Sequence, residues 1–124
     1  MLSLGPTTRI FLCVNPVDMR KSFDSLSGLV NEVFEQDVFS GDLFVFRNRE
    51  ETKMKILFWD RDGYVLWYKR LEKGTFKLPT VAASCQVDAT AFMMLLNGVD
   101  AKSVKKQQRY SRPQLSLHDD QPSV

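Results

Sequence analysis

Two runs rich in β-branched and aromatic residues, at 53–59 and 64–71, flank the tetrapeptide DRDG at 60–63. Such runs favour extended strands, and a short polar break between them predicts a β-hairpin. Aspartate at the first turn position and glycine at the fourth favour a type I turn followed by a left-handed glycine, the usual three-residue loop. In the register that this loop predicts, Asp60 lies opposite Tyr64.

The predicted register places the two tryptophans, Trp59 and Trp67, as diagonal neighbours on one face of the hairpin. Lys55 and Lys69 follow on the same face. Both faces are apolar near the turn, so one is expected to pack on a helix, and the other is covered by another element or faces a partner. The tryptophan pair is therefore either part of the core or an exposed platform for bases or for a partner protein.

The rest of the chain predicts an α+β fold around this hairpin. A buried strand at 8–14 precedes a long helix from about 16 to 35, whose apolar residues recur at spacings of three and four. A strand at 43–47 joins the hairpin and completes a three-stranded antiparallel meander. A short C-terminal helix at 88–96 starts with an aspartate cap and stops at Gly98.

The long helix is predicted to begin at Pro16, with Asn15 as its cap. Asp18 lies in the first turn, where the helix dipole favours a negative charge. The helix is expected to pack across the meander through a stripe of four apolar residues, Met19, Phe23, Leu26 and Val30.

At 124 residues the chain is expected to form one domain, at 1–100. From 101 to 124 large apolar residues are sparse, which predicts a largely disordered tail with a basic segment at 102–112. Cys13 and Cys85 show no CxxC spacing, and Cys13 lies in an apolar run that predicts a buried free thiol. Neither a signal peptide nor a membrane span is indicated, so a cytoplasmic protein is expected.

Positive charge and aromatic side chains are concentrated in the same part of the chain. Residues 44–77 hold 8 of the 14 aromatic residues and 9 of the 17 Lys and Arg residues, against 5 acidic residues, a net charge of +4. Residues 1–43 carry 3 basic and 6 acidic residues, a net charge of −3. Because cations neutralise phosphates and aromatic rings stack on bases, the hairpin region is a candidate nucleic-acid surface.

The candidate contacts fall into two groups. The tryptophans at 59 and 67 are the candidate stacking or interface residues. Each cation could instead be an ordinary solvated surface charge, and the sequence leaves the two interpretations open. The candidate phosphate contacts are Arg20, Lys21, Arg47, Arg49, Lys55, Lys69 and Arg70.

The carboxylates favour structural roles over catalysis. Metal-dependent strand transfer requires acidic residues that converge on two ions, whereas Asp60 and Asp62 are explained as turn residues and Asp88 as a helix cap. His118 is the only histidine, which removes most Cys/His metal sites and histidine-activated nucleophiles. The sequence therefore predicts no enzyme, no cofactor, no metal site and no small-molecule substrate.

The order of these features resembles that of a known family. The segments are PVDMRKSFDSL at 16–26, FSGDLFVFRNR at 39–49, KILFWDRDGYVLWYKRLEKGTFKLP at 55–79 and, more weakly, MLLNGVD at 94–100. The chain resembles the small accessory protein, often labelled TnpB, that the second open reading frame of IS66-type bacterial insertion sequences encodes. The resemblance covers roughly residues 9 to 100.

The resemblance implies a part in the transposition of a mobile element, beside a separate and larger transposase that carries the catalytic carboxylates. Two functions are compatible with the sequence. The first is a non-catalytic accessory protein that binds DNA through the basic and aromatic hairpin surface. The alternative is a protein-interaction module that docks on the transposase without touching DNA. The expected partners are the transposase of the same element and DNA, with no membrane.

Overall fold

A five-stranded mixed sheet forms the centre of the protein in the computed structural model, which describes residues 4–77, 84–100 and 105–106. The order across the sheet is β4-β3-β2-β1-β5. β1 runs parallel to β2 and antiparallel to β5, and the other neighbours are antiparallel. The strands are β1 (Ile10–Cys13), β2 (Leu43–Arg47), β3 (Lys53–Asp60), β4 (Gly63–Arg70) and β5 (Ser84–Val87).

Two short helices accompany the sheet. Helix α1 (Phe23–Leu29) continues as a π-helical turn, Val30–Phe34, so that 12 residues are helical in all. Helix α2 (Ala89–Leu96) follows β5, and a 3₁₀ turn, Val38–Ser40, precedes β2. A separate two-stranded ribbon pairs β6 (Val99–Asp100) with β7 (Lys105–Lys106).

Apolar side chains cover both faces of the sheet, because its inner strands are apolar at nearly every position. On one face, here called the α1 face, Phe44, Phe46 and Leu57 pack against Leu26 and Phe34 of the helical segment. On the other, the α2 face, β1, β2 and β3 pack against α2 and the segment after β4. The buried residues of the α2 face are Ile10, Leu12, Leu43, Val45, Met54, Ile56, Phe76, Phe92 and Leu95.

The prediction of a long helix from 16 to 35 was wrong. Residues 16–22 are not helical, and the helix starts at Phe23 after Ser22. The backbone of this segment is held by the sheet instead: the Val17 N–H donates to the carbonyl of Arg47 at 2.9 Å. Phe23 is 42% exposed and does not belong to a buried helical stripe.

The predicted architecture of a three-stranded meander was also wrong, since the antiparallel strands β2, β3 and β4 form only part of a larger sheet. The N-terminal strand joins them in parallel, with Ile10 beside Leu43. All four residues of β1 are buried. A strand that is apolar on both faces is stable in the interior of a sheet, where a strand lies on each side of it and a hydrophobic core covers each face.

The hairpin register differs by one residue from the predicted one. Asp60 pairs with Gly63, so the loop has two residues, and Arg61 takes the left-handed conformation with φ of 52°. A shift of one residue turns every side chain of β4 to the opposite face. Trp59 consequently pairs with Tyr64 on the α1 face, while Trp67 pairs with Ile56 on the α2 face. The predicted tryptophan pair on a shared face was wrong.

Three smaller predictions are confirmed by the structure. Asp88 caps α2, because its carboxylate accepts the Ala91 N–H at 2.7 Å, and Gly98 follows the helix with φ of 76°. Cys13 is a buried free thiol, and burial raises its pKa. The predicted disordered tail, 101–124, lies outside the described residues except for Lys105 and Lys106 of β7.

A partly buried ion pair between Arg9 and Asp42 lies at the start of the sheet. Asp42 is buried, and its carboxylate accepts the Arg9 backbone N–H at 2.8 Å, the Arg9 Nη2 at 2.8 Å and the Ser40 hydroxyl at 2.9 Å. Burial by itself raises the pKa of Asp42, but these hydrogen bonds outweigh it and lower the pKa below its usual value. The carboxylate therefore stabilises the fold only when it is ionised.

Replacing Asp42 by asparagine is expected to lower the free energy of unfolding at neutral pH by about 1–3 kcal/mol, because charge-assisted hydrogen bonds are lost. A lowered pKa in the folded state stabilises the protein above the unfolded-state pKa of about 4, and this stabilisation is lost as the pH falls through the folded-state pKa. Urea unfolding at neutral and acidic pH should give a smaller acid destabilisation for Asp42→Asn than for the wild type. Parallel pH profiles would contradict this assignment.

Candidate nucleic-acid interface

Three cations line a groove where the segment before α1 meets the β2–β3 turn. Its volume is about 420 Å³. Arg20 comes from the segment, Arg49 from the turn, and Lys53 from the first position of β3. The remaining lining residues are Pro16, Val17, Asp18, Met19, Asn48 and Glu50.

A second, smaller groove of about 230 Å³ has Lys53 in common with the first and is lined by Lys53, Tyr68 and Arg70. Lys53 and Arg70 are register partners at the end of the β3–β4 hairpin that lies away from its turn. Tyr68 lies on the same face of β4 as Arg70, and it is 50% exposed. The two grooves share Lys53, and together they are called the basic groove (Arg20, Arg49, Lys53, Tyr68 and Arg70).

Two of the four cations are held by neighbouring acids. Arg20 Nη2 lies 2.7 Å from the Asp18 carboxylate, and Arg70 Nε lies 2.9 Å from that of Glu72. The hydrogen bonds from Arg20 lower the pKa of Asp18 to about 2 and raise the pKa of Arg20. Asp18 was predicted as a helix-start residue, and it instead orients this arginine. Within the described residues, Arg49 and Lys53 are in no ion pair.

Arg47 was predicted as a phosphate contact, and the structure buries it. Its side chain runs back under the β2–β3 turn, where Nη2 donates to the Val14 carbonyl at 3.1 Å. Nη1 forms an ion pair with Glu51. Arg47 therefore ties the end of β1 to the turn and does not reach the basic groove.

Lys55 was predicted as a phosphate contact on the hairpin, yet it is only 6% exposed. Its ammonium group donates to the carbonyls of Met19 and Lys21, at 2.7 Å each. The same group lies 4.7 Å from the centre of the Tyr68 ring, within the range of a cation–π interaction. Lys55 thus holds the segment before α1 on the sheet. It thereby fixes the position of Arg20, which lies in that segment.

The other predicted residues divide between the two faces. Lys69 is exposed but pairs with Met54 on the α2 face, opposite the basic groove. Lys21 is half-buried, and its backbone carbonyl is the one that Lys55 holds. Trp67 packs against the core of the α2 face. Trp59 is half-buried beside Tyr64 and Phe39.

The sequence interpretation missed Lys53 and Tyr68 as groove residues. The signal for both lies in the hairpin register, because Tyr68 and Arg70 always share one face of β4, and that face also carries Lys53 only when Asp60 pairs with Gly63. The three predicted residues that the structure does bring together are Arg20, Arg49 and Arg70.

In the part of the chain that the structure describes, no three His, Cys, Asp or Glu side chains lie together in a way that could hold a metal ion. No helix within residues 4–77, 84–100 and 105–106 is long and apolar enough to cross a bilayer.

Comparison with known proteins confirms the resemblance. The family model described as "IS66 Orf2 like protein" matches residues 8–106. The uncharacterized protein y4jC of Sinorhizobium fredii is 33% identical over 106 residues, which cover 83% of this chain and 91% of that protein. The uncharacterized protein y4hO of the same organism is 34% identical over 101 residues, or 81% and 88% of the two chains. No solved structure matches the chain. The chain belongs to the family of IS66 Orf2-like proteins, which implies an accessory protein of an insertion sequence.

Proposed function

We propose that this insertion-sequence accessory protein is non-catalytic and binds DNA phosphates through the basic groove. The observation that carries the proposal is the alignment of four cations, Arg20, Arg49, Lys53 and Arg70, along two grooves that share a lysine. Lysine and arginine side chains that line a continuous surface neutralise successive phosphates and release their counterions. Tyr68 offers an exposed ring in the same groove for stacking on an unpaired base.

The ion pairs of Arg20 and Arg70 are compatible with this role. Both arginines are largely exposed, with side-chain exposures of 92% and 66%. Exposed ion pairs contribute little to stability, so exchanging a carboxylate for a phosphate oxygen costs little. Asp18 and Glu72 hold the two guanidinium groups in extended positions before DNA arrives. Their negative charge also weakens non-specific attraction, which favours a modest DNA affinity for the protein alone.

The proposal of a non-catalytic role is supported by the contacts of the carboxylates. Asp42 is bound to Arg9, Asp18 to Arg20, and Asp88 to the start of α2. Each of these acids stabilises a local structure, and they belong to three separate parts of the chain: the segment before α1, the turn before β2 and the start of α2. The chemistry of strand transfer is therefore assigned to the separate transposase.

Binding to duplex DNA is expected to depend on salt with a slope of log affinity against log salt between about −2 and −4. A slope of about −2 corresponds to contacts by Arg49 and Lys53 alone, and a slope of about −4 to contacts by all four cations, at about 0.9 per phosphate. The double variant Arg49→Glu, Lys53→Glu should lose binding to all sequences alike, because phosphate contacts carry no sequence information. Fluorescence anisotropy of labelled element-end DNA over a salt series measures both effects.

Lys69→Glu is the matched control, since Lys69 is an exposed cation of the same hairpin on the opposite face. It should retain most of the affinity, while the double variant should retain the thermal midpoint of the wild type. Equal losses of affinity in the control and the double variant would show a diffuse charge effect, and the basic groove would not be the DNA-binding surface.

A second candidate function, docking on the transposase without DNA contact, is favoured by one observation. The structure removes Arg47 and Lys55 from the surface and pairs Arg20 and Arg70 with acids, which leaves less free positive charge than the sequence predicts. A salt-independent complex with purified transposase, together with no DNA binding at low ionic strength, would support this candidate and exclude the first.

A further inference from the structure

An aromatic cluster lies at the turn end of the β3–β4 hairpin. Phe39 packs edge-on against Trp59 at 4.9 Å between ring centres and lies 6.0 Å from Tyr64. Tyr64 in turn contacts Trp59 at 5.0 Å and Phe23 at 6.4 Å. Phe39 is 57% exposed and Phe23 42% exposed, so two of the four rings face solvent. These four residues are called the aromatic cluster.

The fold fixes the position of this cluster. Phe39 lies on the 3₁₀ turn Val38–Ser40, and the Asp37 carboxylate accepts its backbone N–H at 2.9 Å. The turn ends at Gly41 with φ of 87°, a conformation that favours glycine. An exposed phenylalanine on a capped turn loses little conformational entropy on binding. Rigid, exposed aromatic side chains of this kind are typical anchors of protein interfaces.

Acidic residues outnumber basic ones in the two segments that carry the cluster, 23–42 and 59–64. Residues 23–42, which carry both exposed phenylalanines, contain five acids (Asp24, Glu32, Glu35, Asp37 and Asp42) and no lysine or arginine. Asp42 is bound to Arg9, and the other four are exposed or partly exposed at the surface. The hairpin turn adds Asp60 and Asp62 with one arginine, Arg61, whose guanidinium lies 3.9 Å from Asp60.

The hairpin turn, with Asp60 and Asp62, and the Lys53–Arg70 pair of the basic groove lie at opposite ends of the hairpin. Seven residue steps separate the Lys53–Arg70 pair from the Asp60–Gly63 pair, which corresponds to about 23 Å at the rise of a β-strand. At this distance, about three times the Debye length at physiological salt, a ligand bound at one end is largely screened from charges at the other. The Lys53–Arg70 end of the basic groove and the hairpin turn are therefore electrostatically independent, whereas Arg20 lies only three residues before Phe23.

We propose that the aromatic cluster is a docking surface for a cationic segment of a partner protein, a stretch of lysine and arginine residues with an apolar side chain as its anchor. The anchor packs on the exposed rings of Phe39 and Phe23, and the cations lie against the acids of residues 23–42 and the hairpin turn. Nucleic acid is disfavoured on this surface because its phosphates meet carboxylates. The aromatic cluster shares no residue with the basic groove. It provides a surface for the second candidate function, docking on the transposase.

The experiment uses the full chain and three labelled synthetic peptides. The first is a lysine- and arginine-rich peptide with a central leucine, the second has alanine in place of the leucine, and the third has glutamate in place of every basic residue. The first should bind at low salt and more weakly at high salt, the second should bind several-fold more weakly, and the third should not bind. No binding of the first peptide, or equal binding of the third, overturns the proposal.

Two variants of the protein assign the binding to this surface. Phe39→Ser should weaken binding of the first peptide by about tenfold, as expected for a central aromatic anchor, and should fold normally because Phe39 is exposed. The double variant Asp24→Asn, Asp62→Asn should weaken binding and flatten its salt dependence. Met93→Ser, at an exposed apolar position of α2, is the matched control and should bind like the wild type.

DNA binding measured on the same proteins separates this inference from the proposed function. Phe39→Ser should keep the DNA affinity of the wild type, while Arg49→Glu, Lys53→Glu should keep its peptide affinity. Loss of DNA binding in the groove variant, with unchanged peptide binding by Phe39→Ser, would overturn the docking surface and leave the DNA proposal intact. The reverse pattern would overturn the DNA proposal alone.

Discussion

Replacing Phe44 by alanine is expected to lower the free energy of unfolding by about 3–5 kcal/mol, the range measured for deletion of a buried phenylalanine ring. Phe44 lies in the middle strand of the sheet and is 0% exposed. Its ring stacks on Phe11 at 5.6 Å between centres and contacts Phe34 at 5.4 Å. The truncation leaves a cavity that these rings cannot close, because each is held by its own strand or helix. Urea unfolding at neutral pH measures the loss.

Phe23→Ala is the matched control, because it removes the same ring from an exposed position at the start of α1. Its expected cost is about 1 kcal/mol or less, since surface substitutions change stability little. The sequence pattern predicted the opposite, with Phe23 in a buried stripe. A loss at Phe23 as large as that at Phe44 would show that the helical segment packs differently from the structure described here.

The individual elements of the fold could be predicted because they depend on local sequence. The apolar run of β1, the β-branched and aromatic runs of β2 to β4 and the capped α2 all carry their own signals. The extent of α1 could not be predicted, because Lys55, 34 residues away along the sequence from Lys21, binds the carbonyls that a helix would otherwise use. Such a tertiary hydrogen bond overrides a helical spacing of apolar residues.

The hairpin register could not be predicted because β3 is apolar on both faces. With Leu57 and Trp59 on one face and Ile56 and Phe58 on the other, either register of β4 buries apolar residues on both. A register is strongly specified where a slip of one residue would move apolar side chains from a buried face to solvent. The loop fixes the register, because Arg61 adopts the left-handed conformation. The sequence does not suggest this, since Gly63 lies nearby and glycine adopts that conformation more readily than arginine.

The candidate site was predicted only in part, because the sequence does not show which of its cations are buried. Clustering of charge at 44–77 pointed to Arg49 and Arg70, which line the basic groove in the structure. It did not distinguish exposed cations from buried ones, since Arg47 and Lys55 satisfy backbone carbonyls that lie far away in sequence. A buried lysine needs several acceptors placed around it, and only the tertiary structure shows them.

Replacing Lys55 by methionine is expected to lower the free energy of unfolding by about 3 kcal/mol, although methionine keeps the apolar stem. The carbonyls of Met19 and Lys21 lose a charged donor at 2.7 Å each, and neither has another donor nearby in the described hydrogen-bond network. Each unsatisfied buried carbonyl costs about 1–3 kcal/mol, less whatever water recovers. Urea unfolding of Lys55→Met against Lys69→Met tests this, because Lys69 is exposed on the neighbouring strand and should lose about 0.5 kcal/mol or less.

The same substitution separates two roles for Lys55. If Lys55 positions Arg20 by holding the carbonyls on either side of it, Lys55→Met should weaken DNA binding under conditions where the variant is fully folded. The salt slope should then fall by roughly 0.9, as for the loss of one phosphate contact, and Arg20→Met should cause the same fall. In the double variant the second substitution should add little, because both act on one contact. Additive losses would instead show that Lys55 leaves its carbonyls and meets DNA itself, as its position in a basic stretch of sequence first predicted.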